Sequence, residues 1–109
     1  MNDQKAVEKL SALAQATRFA AFRLLMRHGE AGLQAGSIAE HLGVPQNTLS
    51  AHLSILSAAG LVKSRRDGRS MIYSVAINET RGLLSYLIND CCDGHPEICD
   101  LSVEQGRSC

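Results

Sequence analysis

Apolar residues recur every three or four positions in five stretches of this chain, which is the period of an amphipathic helix. The first stretch covers residues 6–14, and the second runs from Phe19 to His28, with Gly29 as the expected C-terminal cap. Between Gly29 and Gly36 the helical period is lost and glycine recurs. We therefore predict two helices followed by a loop.

The third and fourth stretches are close neighbours. Ser37 and Glu40 have the spacing of a capping box, in which each side chain accepts from the other residue's backbone amide, so a helix should begin at Ser37 and end at Gly43. Pro45 fits the first turn of the next helix, where no amide hydrogen is needed. The apolar stripe of that helix is Leu49, Leu53 and Leu56. Two such helices joined by a glycine-containing turn indicate a helix-turn-helix motif.

After this motif the pattern changes to two strand-like runs, residues 61–66 and 69–75, separated by Asp67 and Gly68. An Asp-Gly pair between two such runs predicts a hairpin with a type I′ turn, in which these two residues are central. A hairpin directly after a helix-turn-helix motif is typical of the winged form.

The fifth helical stretch should begin at Asn78, as N-cap, and continue as one long helix to Asp93-Gly94. A chain of 109 residues allows one compact domain. We predict a fold that is mainly α with a β-hairpin wing, in which residues 1–92 form a winged helix-turn-helix DNA-binding and dimerisation domain and residues 93–109 form a tail.

The second helix of the motif carries short polar side chains away from its apolar stripe. These residues are Gln46, Asn47, Thr48, Ser50 and His52. Gln and Asn suit the N6 and N7 atoms of adenine, and Ser and Thr suit several bases, so this face could read the major groove. His52 lies beside this face and is as well suited to bracing the helix as to touching a base.

The hairpin concentrates positive charge. Its basic residues are Lys63, Arg65, Arg66 and Arg69. The whole chain has 11 basic and 11 acidic residues, whereas residues 61–76 have four basic and one acidic, and residues 77–109 have two basic and six acidic. The hairpin is therefore expected to neutralise DNA phosphates or to enter the minor groove, which supplies affinity with little sequence preference. Taken separately, a polar helix face and a basic hairpin could be ordinary solvent-exposed surface. Their order along the chain favours DNA binding.

At these motifs the sequence resembles a known family. The segments that carry the resemblance are residues 16–25, 38–44, 49–56, 59–62 and 68–74. Together they resemble the ArsR/SmtB family of bacterial metal-sensing repressors over roughly residues 5 to 92. The resemblance implies a homodimer joined through the first and last helices and bound to double-stranded operator DNA until an inducer releases it. A twofold dimer would make the operator an imperfect inverted repeat.

The cysteines are the candidate inducer ligands. All four, Cys91, Cys92, Cys99 and Cys109, fall in the last 19 residues. Three thiolates converging on one ion would select As(III), or less specifically Cd(II) and Pb(II), over metals that prefer oxygen. The resemblance agrees, since a Cys-Cys pair at the end of the last helix with a nearby third cysteine looks like the C-terminal arsenite site of one branch of arsenical repressors. The expected inducer is As(III), with Sb(III) as a further candidate, bound by Cys91, Cys92 and Cys99.

Two other sites that the resemblance brings to mind are not matched. Arsenite sensors with a site before the reading helix carry a Cys-Val-Cys type pair, whereas residues 33–38 here contain no cysteine. Zinc sensors place Asp, His and Glu along the last helix, whereas residues 81–90 contain no histidine. The C-terminal thiols are what remains.

Several alternatives stay open at this point. A redox switch of the same fold would have to use Cys99 or a second chain, because adjacent cysteines form only a strained disulfide. The thiols could also be unengaged, or the chain could be a metal-buffering or arsenic-carrying protein that binds no DNA. His95 could add a fourth ligand for zinc, and Cys109 is expected to be a free thiol.

Other function classes are disfavoured. No stretch approaches the 18 apolar residues of a membrane span, and the first residues lack the apolar core of a secretory signal, so a cytoplasmic protein with reduced thiols is expected. No Ser/His/Asp or Cys/His grouping holds together as a nucleophile with its base, so we predict neither an enzyme nor an organic cofactor.

Overall fold

The computed structural model describes residues 1–90 of the chain. In chain order its elements are helices α1 (Asp3–Leu13) and α2 (Ala16–His28), a 3-10 turn (Gly29–Ala31), strand β1 (Leu33–Gln34), helices α3 (Ala35–Leu42) and α4 (Gln46–Ala58), strands β2 (Val62–Asp67) and β3 (Ser70–Val75), helix α5 (Ile77–Ser85) and a π-helical turn (Tyr86–Asp90). The strands form one antiparallel sheet in the order β1-β3-β2. The predicted class, mainly α with a hairpin wing, is confirmed.

One hydrophobic core joins the helices to the inner end of the hairpin. Its fully buried members include Leu25 of α2, Ile38 of α3, Leu49, Leu53 and Leu56 of α4, and Leu61 just before β2. Burying a leucine contributes about 1.5 to 3 kcal/mol, so the three leucines of α4 fix the rotation of this helix about its own axis. The opposite face of α4 must then point outward, as the stripe predicted.

The loop expected over residues 29–36 contains more structure than predicted. Residues 29–31 form the 3-10 turn, and β1 adds a third strand, with Leu33 paired to Tyr73 of β3. Gly32 makes this approach possible, because its φ is +70° and a Cβ atom there would lie 2.4 Å from the carbonyl oxygen of Tyr73. Two residues are too few for a period to show, so the sequence pattern carried no sign of this strand.

The predicted capping box is wrong. Helix α3 begins at Ala35, its N-cap residue is Gln34, and the N-cap side chain makes no capping hydrogen bond. Ser37 therefore lies inside the first turns of the helix, where it is exposed. Strand β1 explains the shift, since it delivers an extended Gln34 directly to the helix.

The start of the last helix was also predicted wrongly. Helix α5 begins at Ile77 after Ala76, again without a side-chain cap, so Asn78 is a helical residue rather than the N-cap. The amide of Ala76 donates to the carbonyl oxygen of Leu61 at 2.9 Å, which ties the end of β3 and lets the helix begin at the next residue. The helix also changes to a π-helical turn at Tyr86, and the part predicted beyond residue 90 lies outside the described residues.

The hairpin turn is shifted by one residue from the prediction. Asp67 still pairs with Ser70, so the central residues are Gly68 and Arg69 rather than Asp67 and Gly68. Gly68 has a φ of +66°, the sign that both turns favoured in hairpins require at the first central position. The shift puts the Arg69 side chain at the tip of the wing.

Helix α1 is joined to the C-terminal part of the described chain by polar contacts. Lys9 Nζ lies 3.1 Å from Glu79 Oε1, and the lysine side chain is buried while the glutamate is half exposed. The hydroxyl of Tyr86 donates to the carboxylate of Asp3. Apolar residues that nevertheless stay exposed on α1 and α5 are Val7, Leu10, Ile77 and Leu84.

Candidate nucleic-acid interface

The turn before α4 sets the direction of the reading helix, the name used here for α4. Gly43 ends α3 in the left-handed conformation, with φ +68° and ψ 34°, and its amide donates to the carbonyl oxygen of Glu40. The next amide, that of Val44, donates to Ala39 at 3.1 Å. Pro45, in extended conformation, then serves as the N-cap residue of α4. Only glycine adopts such a φ without strain, so this turn matches the sequence prediction closely.

The polar face of the reading helix is open to solvent. Its exposed members are Gln46, Asn47, Thr48, Ser50 and Ala51. The side-chain oxygen of Asn47 accepts from the amide of Thr48 at 2.9 Å, which satisfies one of the amides left without a helical partner at the N-terminus. The described residues of α4 include no Asp, Glu, Lys or Arg, so the face offers uncharged hydrogen-bonding groups to a nucleic acid.

His52 differs from these residues because it is only partly exposed and has a protein partner. Its Nδ1 atom lies 3.3 Å from the Nη1 atom of Arg18. The Nε atom of the same arginine donates to the carbonyl oxygen of Ala12 at 2.6 Å. The structure thus places His52 beside the reading face and braces it from α2.

Sequence reasoning missed Arg18. This residue lies inside the segment that carried the family resemblance, but no local pattern assigned it a role. Its partners are 6 and 34 residues away along the chain, and only the packing of α1, α2 and α4 brings them together. An arginine within a predicted helix carries no local signal of such contacts.

The wing brings the four predicted basic residues onto one hairpin. Lys63, Arg66 and Arg69 are exposed, and no hydrogen bond or ion pair within residues 1–90 engages their side chains. Lys63 and Arg65 share one face of β2, and Arg66 lies on the other face with the buried Val62. The positive charge of the wing is therefore available on both faces and at its tip.

Arg65 is the exception within the wing. Its Nη2 atom donates to the carbonyl oxygen of Ala31 at 3.0 Å, and its Nη1 atom donates to that of Glu30 at 3.4 Å. The guanidinium therefore joins the wing to the 3-10 turn that follows α2. Gln34 adds a second link on the same side of the sheet by donating to the hydroxyl of Ser70.

The predicted metal ligands Cys91, Cys92 and Cys99 lie outside the described residues, as do His95 and Cys109. Residues 1–90 contain no group of three or more His, Cys, Asp or Glu side chains that could hold a metal ion. The described part of the chain therefore offers a nucleic-acid surface and no second candidate metal centre.

Comparisons with known proteins agree with this geometry. A family model described as a helix-turn-helix domain matches residues 13–65, which run from the end of α1 into β2. An uncharacterized HTH-type transcriptional regulator of Methanocaldococcus jannaschii, MJ1325, is 32% identical over 81 residues, or 74% of this chain and 89% of that protein. The chain belongs to the HTH-type transcriptional regulators, and its matches include proteins named as members of the ArsR/SmtB family.

Solved structures support the family fold. The homodimeric winged helix-turn-helix DNA-binding domain of Mb0332 from Mycobacterium bovis, a possible ArsR-family regulator, superposes with a TM-score of 0.64 at 24% identity and covers 87% of this chain and 94% of that one. A possible transcriptional regulator for arsenical resistance superposes with a TM-score of 0.59 at 29% identity, over 79% of this chain and 90% of that one.

Family membership also bears on the broader predictions. HTH-type transcriptional regulators are DNA-binding proteins and not enzymes, and relatives of this chain include proteins named as repressors. Within residues 1–90, no helix is both long and apolar enough to cross a membrane.

Proposed function

We propose that this protein is a cytoplasmic, homodimeric transcriptional repressor that leaves its operator when As(III), or Sb(III), is bound by Cys91, Cys92 and Cys99. The observation that carries the DNA-binding part is the solvent-exposed, uncharged polar face of α4 beside a basic wing. The inducer part rests on the chemistry of the three thiols and on the family resemblance.

The reading helix and the wing make different contacts with DNA. Gln46, Asn47, Thr48 and Ser50 hydrogen-bond base edges, with His52 at the border of this face, and these contacts select the sequence. The wing residues Lys63, Arg65, Arg66 and Arg69 interact with phosphates, which contributes affinity that falls with salt. Because α4 has no charge of its own, nearly all of the electrostatic attraction is assigned to the wing.

The dimer uses α1 and the C-terminal helix. Val7 is 62% exposed and Leu84 is 49% exposed, and a second copy would remove both from water. A twofold dimer presents two reading helices to the same face of the duplex, so the operator is an imperfect inverted repeat. Operator contacts of both subunits then depend on one interface.

The switch follows from where the thiols lie. Cys91 and Cys92 directly follow the part of the chain assigned to the dimer interface, and Cys99 can return to them across residues 93–98. Three thiolates could hold As(III) better in a dimer arrangement that does not fit the operator. As(III) would then weaken operator binding, and the operator would weaken As(III) binding by the same free energy. A difference of about 1.4 kcal/mol already changes operator affinity tenfold.

Two alternatives keep the fold and the DNA-binding function but have a different inducer. Cd(II) or Pb(II) would use the same soft ligands, and an oxidant would pair Cys99 with another thiol. A protein that stores metal without binding DNA would need neither the polar α4 face nor the wing charge. We therefore place the arsenite-responsive repressor first.

One titration separates these functions. The operator is obtained by selecting bound duplexes from a random-sequence pool, and the complex is then titrated with As(III), Sb(III), Cd(II), Zn(II) and peroxide while fluorescence anisotropy reports DNA release. We expect As(III) to weaken operator affinity by roughly tenfold or more. Release by peroxide alone would identify a redox regulator, and absence of any selected duplex would remove the DNA-binding function.

Serine variants test the ligand set in the same assay. Cys91→Ser, Cys92→Ser and Cys99→Ser should each bind the operator as the parent does and lose release by As(III). Cys109→Ser is the matched control and should keep the full response. A response that survives in one of the first three variants removes that cysteine from the site, and a response lost in Cys109→Ser means that Cys99 is not the third ligand.

A further inference from the structure

Arg18 connects the end of α1 with the reading helix. The carbonyl of Ala12 belongs to the last turn of α1, where carbonyl oxygens have no helical donor, and Arg18 Nε supplies one at 2.6 Å. The same guanidinium contacts His52 of α4 through Nη1. The backbone amide of Arg18 is itself held by the side chain of Gln15 at 2.8 Å, so the arginine is anchored at both ends.

The contact determines the protonation form of the His52 ring. A guanidinium has only donors, so Nδ1 of His52 must be the acceptor and the ring proton of the neutral histidine must lie on Nε2. The two ring nitrogens face different directions, and the Nε2–H bond therefore points away from Arg18. His52 is partly exposed, and Nε2 has no hydrogen-bond partner within residues 1–90.

We propose that Arg18 is a positioning residue for DNA binding, which holds His52 in the Nε2–H form and presents this donor to the DNA from the edge of the reading face. This inference rests on the proposed DNA-binding function. The acceptor on DNA is a phosphate oxygen or a base-edge acceptor, and both accept the same N–H donor.

The geometry favours an indirect role for Arg18. Its side chain is partly buried, and Nε and Nη1 are already engaged within the protein. Lys63, Arg66 and Arg69 of the wing have no such partners within residues 1–90. Removing Arg18 should therefore change DNA affinity through His52 and leave the number of neutralised phosphates unchanged.

A measurement without DNA tests the pairing itself. The imidazole nitrogens of the full-length protein are observed by long-range ¹H–¹⁵N correlation NMR at a pH where the histidines are neutral, with His52→Gln assigning the signal. We expect the parent to show His52 with its proton on Nε2, and Arg18→Met to shift that ring toward a tautomer mixture. A proton on Nδ1 of the parent, or no change in Arg18→Met, would overturn the pairing.

Operator binding tests the consequence. Arg18→Met and His52→Ala should each weaken operator affinity by roughly tenfold, while the dependence of log affinity on log salt concentration keeps the parent slope. The double variant should be no weaker than His52→Ala alone, because Arg18 acts through His52. Arg23→Met is the matched control, since Arg23 is exposed on the same helix and should bind as the parent.

The other outcomes are equally decisive. A flatter salt slope in Arg18→Met, or losses that multiply in the double variant, would show that Arg18 contacts DNA itself and would overturn the proposal, as would parent-like binding of Arg18→Met. Arg18→Lys keeps the charge but has one nitrogen in place of the two that contact Ala12 and His52. It serves if Arg18→Met fails to fold and should show the same loss. A parent that binds no duplex would remove the proposed function, and the NMR result would still decide the pairing.

Discussion

Two residues of the predicted interface have side-chain hydrogen bonds to other elements of the fold, which refines what each can do. His52 is held by Arg18, and Arg65 donates to the carbonyl oxygens of Glu30 and Ala31. The remaining wing cations, by contrast, are exposed and unengaged within residues 1–90. Residue type and position along a helix or strand suggested a DNA contact in all of these cases, but hydrogen bonds across the fold decide how freely each side chain can move toward a phosphate.

This difference predicts unequal salt effects within the wing. Arg66→Ala and Arg69→Ala should each make the fall of log affinity with log salt concentration shallower, by about 1 in the magnitude of the slope, because each removes a free phosphate contact. Arg65→Ala should reduce the magnitude of the slope by less, since the guanidinium of Arg65 is already bonded to two carbonyl oxygens. Anisotropy titrations over a salt series measure the slopes. Equal slopes for all three variants would contradict this ranking, and an unchanged slope in all three would remove the wing from the interface.

At the scale of elements, the reading helix followed its sequence pattern, whereas the segment before it did not. The three leucines of α4 recur at helical spacing and are all buried. Strand β1 and the early start of α3 depend on pairing with β3, 40 residues away, and on the close approach at Gly32. Local periodicity could not report a contact over that distance.

The close approach of Gly32 to Tyr73 predicts that one methyl group added at residue 32 will strongly reduce stability. Gly32→Ala should reduce the free energy of unfolding by about 2 kcal/mol or more, because the new Cβ would collide with the Tyr73 carbonyl and φ is positive. Gly29→Ala is the matched control, since its φ is also positive at +57° but no atom lies within 4 Å of its Cβ, and it should cost about 1 kcal/mol. Urea unfolding measures both. Equal losses would mean that β1 does not pack against β3 as described.

At the scale of the whole molecule, the described chain buries one core and leaves apolar side chains on α1 and α5 exposed. Leu84 and Val7 are the largest examples of this exposure on those helices. Lys9 and Glu79 form an ion pair between the two helices, so these side chains lie on elements that contact each other. A second copy of the chain is the partner proposed for them.

This assignment predicts that one charged residue will separate the subunits. Leu84→Glu should fold, because the side chain is 49% exposed, but it should sediment as a monomer and lose operator binding. Met26→Glu is the matched control, since Met26 is 48% exposed on α2 and should leave the dimer intact. Analytical ultracentrifugation and anisotropy measure the two properties. A monomeric Leu84→Glu variant that still binds the operator tightly would contradict the dimer model.

Sequence alone determined the order of the five helices and the hairpin, the buried stripe of α4, the glycine turn before it and the basic hairpin after it. These features are local: a period of 3.6 or 2, a left-handed glycine and a cluster of like charge can each be recognised within about 15 residues. The sequence shows Cys91, Cys92 and Cys99 only as residue types, and their role as As(III) ligands remains a prediction.

Tertiary structure decided the rest. It added β1, moved the starts of α3 and α5, shifted the hairpin turn by one residue, and brought Arg18 to His52 and Arg65 to the 3-10 turn. In each case the deciding atoms come from segments distant in sequence, or the choice lies between neighbouring registers that local propensity leaves nearly equal in energy. Packing and backbone pairing select among such registers, because only the folded chain brings the partners within hydrogen-bonding distance.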